Sequence, residues 1–106
     1  MDRIISPNDL KKLRNASTVA ILDVRRKSDL DASRDKILGA TWCDPDAMEE
    51  WADKIPKNRE VVLYCVRGGS VSNAVVDALQ AKGVQARFIE GGIEGWKAAG
   101  GDTVGK

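Results

Sequence analysis

The sequence contains no histidine. That absence removes Cys–His and Ser–His catalytic pairs and every imidazole metal site. There are two cysteines, Cys43 and Cys65, far apart in the chain. They are too few for a structural zinc site and do not form the framework of a disulfide-stapled secreted domain. No apolar run approaches the ~20 residues of a membrane-spanning helix. The first residues, Met1-Asp2-Arg3-Ile4, lack the long apolar stretch of a secretory signal. The expected setting is therefore the cytoplasm, as a chain of its own or as a domain cut from a longer one. Excess charge is also missing: the formal net charge is +1. It implies neither a nucleic-acid nor a membrane partner, and any useful positive field must be local.

What is present fits one soluble globular domain. The 106 residues are 42% hydrophobic and 31% charged, enough for one modest core. We read a single domain over 1–106, with its core at about 4–100 and a flexible, frayed tail beyond. Ser6-Pro7-Asn8-Asp9 is a helix start, with Ser6 as cap and Pro7 in the first helical position. That helix runs to about Asn15 and buries Leu10 and Leu13. Residues 19–24 and 61–64 are continuous apolar runs with β-branched residues, the pattern of buried parallel strands. Between them lie a polar stretch with a helical turn near 28–33, a short strand at 37–41, and a helix opened by Asp44-Pro45. The last presents Ala47, Met48, Trp51, Ala52 and Ile55 on one face until Pro56 stops it. Val71, Ala74, Val75, Ala78 and Leu79 recur at helical spacing, and Lys82-Gly83 ends that helix. A strand at 85–89 and a turn with a short helix at 91–99 follow. Strands alternate with helices, so the expected fold is α/β: three layers around a mostly parallel sheet. Ligands of such sheets sit beyond the carboxyl ends of the strands.

Cys65 stands at one such end, before the turn Val66-Arg67-Gly68-Gly69-Ser70 and a helix start. Turn amides and a helix N-terminus favour thiolate over thiol at such a place, and Gly68 and Gly69 let the backbone curl. A plain buried thiol also fits a strand end. The turn matches neither common nucleotide-loop pattern.

At these residues the sequence resembles the single-domain rhodaneses, a sulfurtransferase family, from about Ile4 to Gly100. Three blocks in order carry the resemblance: Leu22-Asp23-Val24-Arg25 followed by Asp29-Leu30; Tyr64-Cys65-Val66-Arg67-Gly68-Gly69-Ser70; and Glu90-Gly91-Gly92-Ile93-Glu94-Gly95-Trp96. The resemblance implies a Cys65 nucleophile that takes sulfane sulfur from thiosulfate or a related anionic donor as a persulfide. A thiol, cyanide or a partner protein's thiol then accepts it, without metal or organic cofactor. It implies loop contacts from Val66, Arg67, Gly68, Gly69, Ser70 and Val71, with Asp23 and Arg25 as loop support. Arg25 would brace the loop through a carboxylate such as Asp29; alternatively it makes only a local ion pair. Arg25, Arg26 and Lys27 would form a basic rim or a plain solvated run.

The chain departs from the family pattern at several points. Lys36 stands where a histidine is frequent. The common loop is C-x-x-G-x-R-S, but the arginine position is Ser70, so we read a loop one residue longer with Arg67 supplying the charge. Phosphatases and arsenate reductases on this fold have a longer loop, and the phosphatases need an arginine six residues after the cysteine; here that residue is Val71. The alternatives to a sulfurtransferase are a non-catalytic, relay or redox-sensing module and, further off, a phosphatase or arsenate reductase. Cys43 reads as a packed thiol, with resolution of an oxidised Cys65 as the other role. Trp42, Trp51 and Trp96 read as packing residues.

Overall fold

Five short strands order as β1-β6-β5-β2-β4, and every neighbouring pair is parallel. They are β1 (Ile4–Ile5), β2 (Ala20–Asp23), β4 (Thr41–Trp42), β5 (Glu60–Tyr64) and β6 (Gln85–Ile89). The computed structural model describes residues 3–16, 19–67 and 69–105. Side-chain alternation along the central strand β5 divides the interior. Val61 and Leu63 pack with Leu22, Val75, Val76 and Leu79 on one side, whereas Val62 and Tyr64 pack with Ile21, Leu10, Ile93 and Trp96 on the other. Helices α1 (Pro7–Ala16) and α5 (Gly92–Ala98) cover the second face. Helix α4 (Ser70–Ala81) and the irregular helical segment at 45–54 cover the first. This is the three-layer α/β/α arrangement with a parallel central sheet that the alternating pattern implied.

Local signals explain most boundaries. The Ser6 hydroxyl accepts the Asp9 amide at 3.1 Å, capping α1 where Pro7 enters it. Helix α4 ends at Ala81 with Lys82 as its cap, and Gly83 turns at φ +87° towards β6.

The structure corrects three expectations. The helix opened by Asp44-Pro45 is not continuous. It is a 3-10 turn at Pro45–Ala47, α3 at Met48–Trp51 and a second 3-10 turn at Ala52–Lys54. The backbone leaves helical angles at Ala47, yet Met48, Trp51 and Ile55 still reach the core. The strand expected at 37–41 is two strands. Gly39, at φ +85°, separates β3 (Asp35–Ile37) from β4. Finally, the tail is not frayed over 103–105. Thr103–Gly105 forms β7, antiparallel to β3. Gly101 permits this, because its missing Cβ would stand 2.1 Å from the Trp96 ring, so only glycine lets the chain cross the indole. The Trp96 Nε1–H donates to the Asp102 carbonyl at 2.9 Å and the Gly101 amide to the Trp96 carbonyl at 2.8 Å. Helix α2 (Lys27–Ala32) follows β2 and buries no residue. Among the described residues no helix is long and apolar enough to cross a membrane.

Candidate active site

Asp23, at the end of β2, Arg25, two residues beyond it, and Tyr64, at the end of β5, form a buried polar network inside the molecule. Asp23 and Arg25 are each 1% exposed. The Arg25 guanidinium donates to both Asp23 carboxylate oxygens, from Nε at 3.0 Å and from Nη2 to Oδ2 at 2.6 Å. The Arg25 amide adds a 3.0 Å bond to Oδ1, and the Tyr64 hydroxyl donates to Oδ2 at 2.8 Å. Tyr64 in turn accepts the Ile37 amide at 3.2 Å, and Arg25 Nη2 reaches the Asp35 carbonyl at 2.9 Å. A buried carboxylate therefore has five donor contacts, the condition under which burying its charge is tolerable.

These contacts set the protonation states. Burial, and then the adjacent Asp23 charge, push the Tyr64 phenol well up, so it remains a donor. Burial opposes the Arg25 charge, but the Asp23 hydrogen bond and charge outweigh it, and Arg25 is held more firmly protonated than usual. Lys97 Nζ lies 2.9 Å from Asp35 Oδ2, and this contact, with Ser33, draws the Asp35 carboxyl below its ordinary value against the cost of burial.

Cys65 directly follows Tyr64 and is 7% exposed. The structure gives the closing Gly91-Gly92 block a physical role that sequence reasoning missed. The Ile93 amide donates to the Cys65 carbonyl at 3.0 Å, and the Glu94 amide to the Val66 carbonyl at 3.2 Å. The N-terminus of α5 thus grips the first two residues of the loop. Gly92 sits between them at φ +61°, with no room for a side chain: a Cβ would stand 2.5 Å from the Cys65 carbonyl oxygen and 2.6 Å from the Val66 carbonyl carbon and oxygen. The signal was the adjacent glycine pair ahead of a helix. A second missed residue is Tyr64, whose signal was one phenol in an otherwise aliphatic strand.

At the far end of the loop α4 begins at Ser70. Gly69 occupies its cap position without a side chain, so the first-turn amides are available to the loop or to an anion. Asn73 holds the Gly69 carbonyl twice, through its amide and its Nδ2, each at 3.2 Å. Val66 lines a cleft of about 510 Å³ with Arg25, Arg34, Asp35, Glu94 and Lys97. Ser70 and Val71 line a second cleft of about 310 Å³. The loop therefore bridges two clefts of different character. Arg67 and Gly69 are exposed on the loop, whereas Gly68 lies outside the described residues.

Two site expectations need correction. Arg25 is not braced by Asp29; its carboxylate partner is Asp23, only two residues away, because both side chains turn inward at the strand end. A basic rim of Arg25, Arg26 and Lys27 does not form either. Arg25 is buried, Lys27 pairs with Asp31 along α2, and Arg26 lines the smaller cleft. Cys43 is buried, and burial followed by the Asp23 charge pushes its thiol up, which leaves it a poor nucleophile. Trp42 and Trp51 donate their indole N–H groups to the Arg25 and Asp44 carbonyls, and Trp96 is buried beside Tyr64.

A parallel α/β sheet that presents a buried cysteine on a strand-to-helix loop, underpinned by an Asp–Arg pair, defines a narrow class of domains. Residues 6–99 match the family model described as Rhodanese-like domain, and the chain belongs to that family. It is 29% identical over 94 residues to the thiosulfate sulfurtransferase GlpE of Tolumonas auensis, covering 88% of this chain and 86% of that protein. A 50-residue stretch is 36% identical to the tRNA 2-selenouridine synthase of a Shewanella species, 47% of this chain but 14% of that protein's length. The crystal structure of a rhodanese-related protein from Thermoplasma volcanium superposes with a TM-score of 0.83 at 25% identity, covering 97% of this chain and 98% of that one.

Proposed function

We propose that this domain is a sulfurtransferase in which Cys65 carries sulfane sulfur as a persulfide. The observation that carries the reading is the double grip of α5 on the Cys65 and Val66 carbonyls. That grip fixes the start of the loop, and on this reading amides at the start of α4 stabilise negative charge on the sulfur. In the first half-reaction the Cys65 thiolate attacks the outer sulfur of the donor. The new S–S bond forms as the donor's own bond to that sulfur breaks, and thiosulfate releases sulfite with the electron pair. In the second, an acceptor thiolate or cyanide attacks the outer sulfur of the persulfide and restores the thiolate. Val66, Arg67, Gly68, Gly69, Ser70 and Val71 contact the donor or shape its pocket. Asp23 and Arg25 act through Tyr64 and hold the strand end from which Cys65 projects. Membership of the family and likeness to GlpE support this reading.

The test is intact mass after the reduced protein is incubated with thiosulfate, beside Cys65→Ser. Addition of one sulfur to wild type alone is expected, followed by its loss on adding cyanide. A sulfur adduct of equal yield in Cys65→Ser refutes the assignment. Absence of any adduct in wild type refutes activity with thiosulfate and favours a module loaded by a partner's persulfide.

A further inference from the structure

A third cleft, of about 470 Å³, lies away from the Cys65 loop, and none of residues 65–71 lines it. Helix α1, the turn between β3 and β4, α5 and the segment leading to β7 enclose it. Lys11 and Arg14 stand three residues apart on α1, so they share a face, and both line the cleft. Arg14 Nη2 donates to the Leu38 carbonyl at 2.7 Å, and its guanidinium lies over the Trp96 ring, 5.9 Å from the centroid. Lys11 Nζ donates to the Ala99 carbonyl and so covers the negative end of α5. Each cation carries more N–H donors than these bonds use. Beside the charges stands an apolar wall. Leu38 is 42% exposed. Its amide donates to the Asp102 carbonyl at 3.2 Å while its own carbonyl holds Arg14, so its backbone is fixed from both sides. Asp102 is the acid of the lining, against two cations, which leaves a net charge of +1. The two clefts beside the loop are charge-balanced instead, with three cations and three acids lining one, and Arg26 and Asp46 lining the other.

We infer that this third cleft binds a compact monocarboxylate with an apolar body, such as an arylacetate. The carboxylate takes the unused donors of Arg14 and Lys11, whose bonds to an anion are charge-assisted. The apolar body lies against Leu38, whose exposed surface then leaves water. An inorganic anion would meet the cations and leave Leu38 wet, and a neutral hydrocarbon would leave the cations unused. The ligand does not meet Cys65, so it is not a sulfur donor, and the inference stands apart from the sulfurtransferase proposal.

The probe is phenylacetate, followed through the Trp96 indole N–H resonance of the reduced protein. A saturating shift is expected, with a Kd of about 10 mM or tighter for a ligand of this size. Phenylacetamide keeps the ring and loses the charge, and acetate keeps the charge and loses the ring. Each should bind at least about tenfold more weakly. Leu38→Asp alters an exposed side chain and retains the backbone carbonyl that holds Arg14, and it should abolish the shift. Arg14→Gln should weaken binding by about tenfold. Absence of a saturating shift in wild type overturns the inference, as does equal affinity for phenylacetamide or an unaltered shift in Leu38→Asp. A shift confined to the Val66 amide or the Met48 methyl places the ligand in the clefts beside the loop and overturns it too. Cys65→Ser should bind phenylacetate as wild type does, so the outcome is decided whether or not Cys65 carries sulfur.

Discussion

Gly92→Ala is the sharpest probe of the loop. The added methyl would lie 2.5 Å from the Cys65 carbonyl oxygen and 2.6 Å from two Val66 atoms, with the residue at φ +61°. Normal contact requires about 3.4 Å, so either the loop or the start of α5 must retreat by roughly 0.9 Å. Holding an L-residue in the left-handed region costs about 1–2 kcal/mol. The two amide bonds to the Cys65 and Val66 carbonyls, worth about 1 kcal/mol each, are lost or lengthened in the retreat. The expected destabilisation is therefore about 2–4 kcal/mol, a fall in Tm of roughly 10–20 °C for a domain of this size. Two assays are needed, urea denaturation for stability and the pH profile of iodoacetamide alkylation for the thiol, both in a Cys43→Ser background. Gly95→Ala is the control, since its methyl would meet the Glu90 carbonyl oxygen at 2.6 Å, in the same helix but away from the loop. Both variants should lose stability, and only Gly92→Ala should change the alkylation profile of Cys65. Wild-type stability in Gly92→Ala, or an equal change of profile in Gly95→Ala, refutes the claim that α5 sets the thiol's environment.

Three further outcomes are expected. Asp23→Asn leaves the buried Arg25 charge without its carboxylate and should cost about 3–5 kcal/mol by urea titration; a loss under 1 kcal/mol would mean that Arg25 escapes to water. Asp35 has its carboxyl lowered by Lys97, so its contribution to stability is complete above the ordinary carboxylate range and disappears as pH falls through its depressed value. Because the pair is partly exposed, the effect is at most about 1 kcal/mol, and urea midpoints of wild type and Asp35→Asn should converge in acid; convergence on the alkaline side instead would reverse the assigned sign. Cys43, its thiol pushed up by burial, should react with iodoacetamide much more slowly than Cys65 at neutral pH, as peptide mapping of partial alkylation would read out.

The layered fold was legible because the runs that become β2 and β5 are almost wholly apolar and its caps are local: Ser6 before Pro7, and Gly83 after Lys82, each act within a few residues. The position of Cys65 at a strand end was legible for the same reason. What escaped depends on contacts distant in sequence. The glycine pair at 91–92 signals a close backbone approach, but nothing near it announces that the partners are residues 65 and 66. Asp29 looked a reasonable partner for Arg25 by charge alone, but burial selected Asp23, which Tyr64 also bonds from another strand. The tail escaped because three of its last seven residues are glycine, a composition that reads as fraying. In the structure one of those glycines is what allows the chain past Trp96 to meet β3.

The sheet also acts as a partition. Val62 and Leu63 are covalent neighbours, yet they belong to separate hydrophobic compartments, so substitutions in the two should combine nearly additively. The Cys65 loop is where that independence ends. It enters from β5, is tied on one side to α5, whose Ile93 and Trp96 lie in one compartment, and continues into α4, whose Val75 and Leu79 lie in the other. Substitutions that repack either half therefore arrive at the same thiol, and the reactivity of Cys65 becomes a single reporter on both interiors.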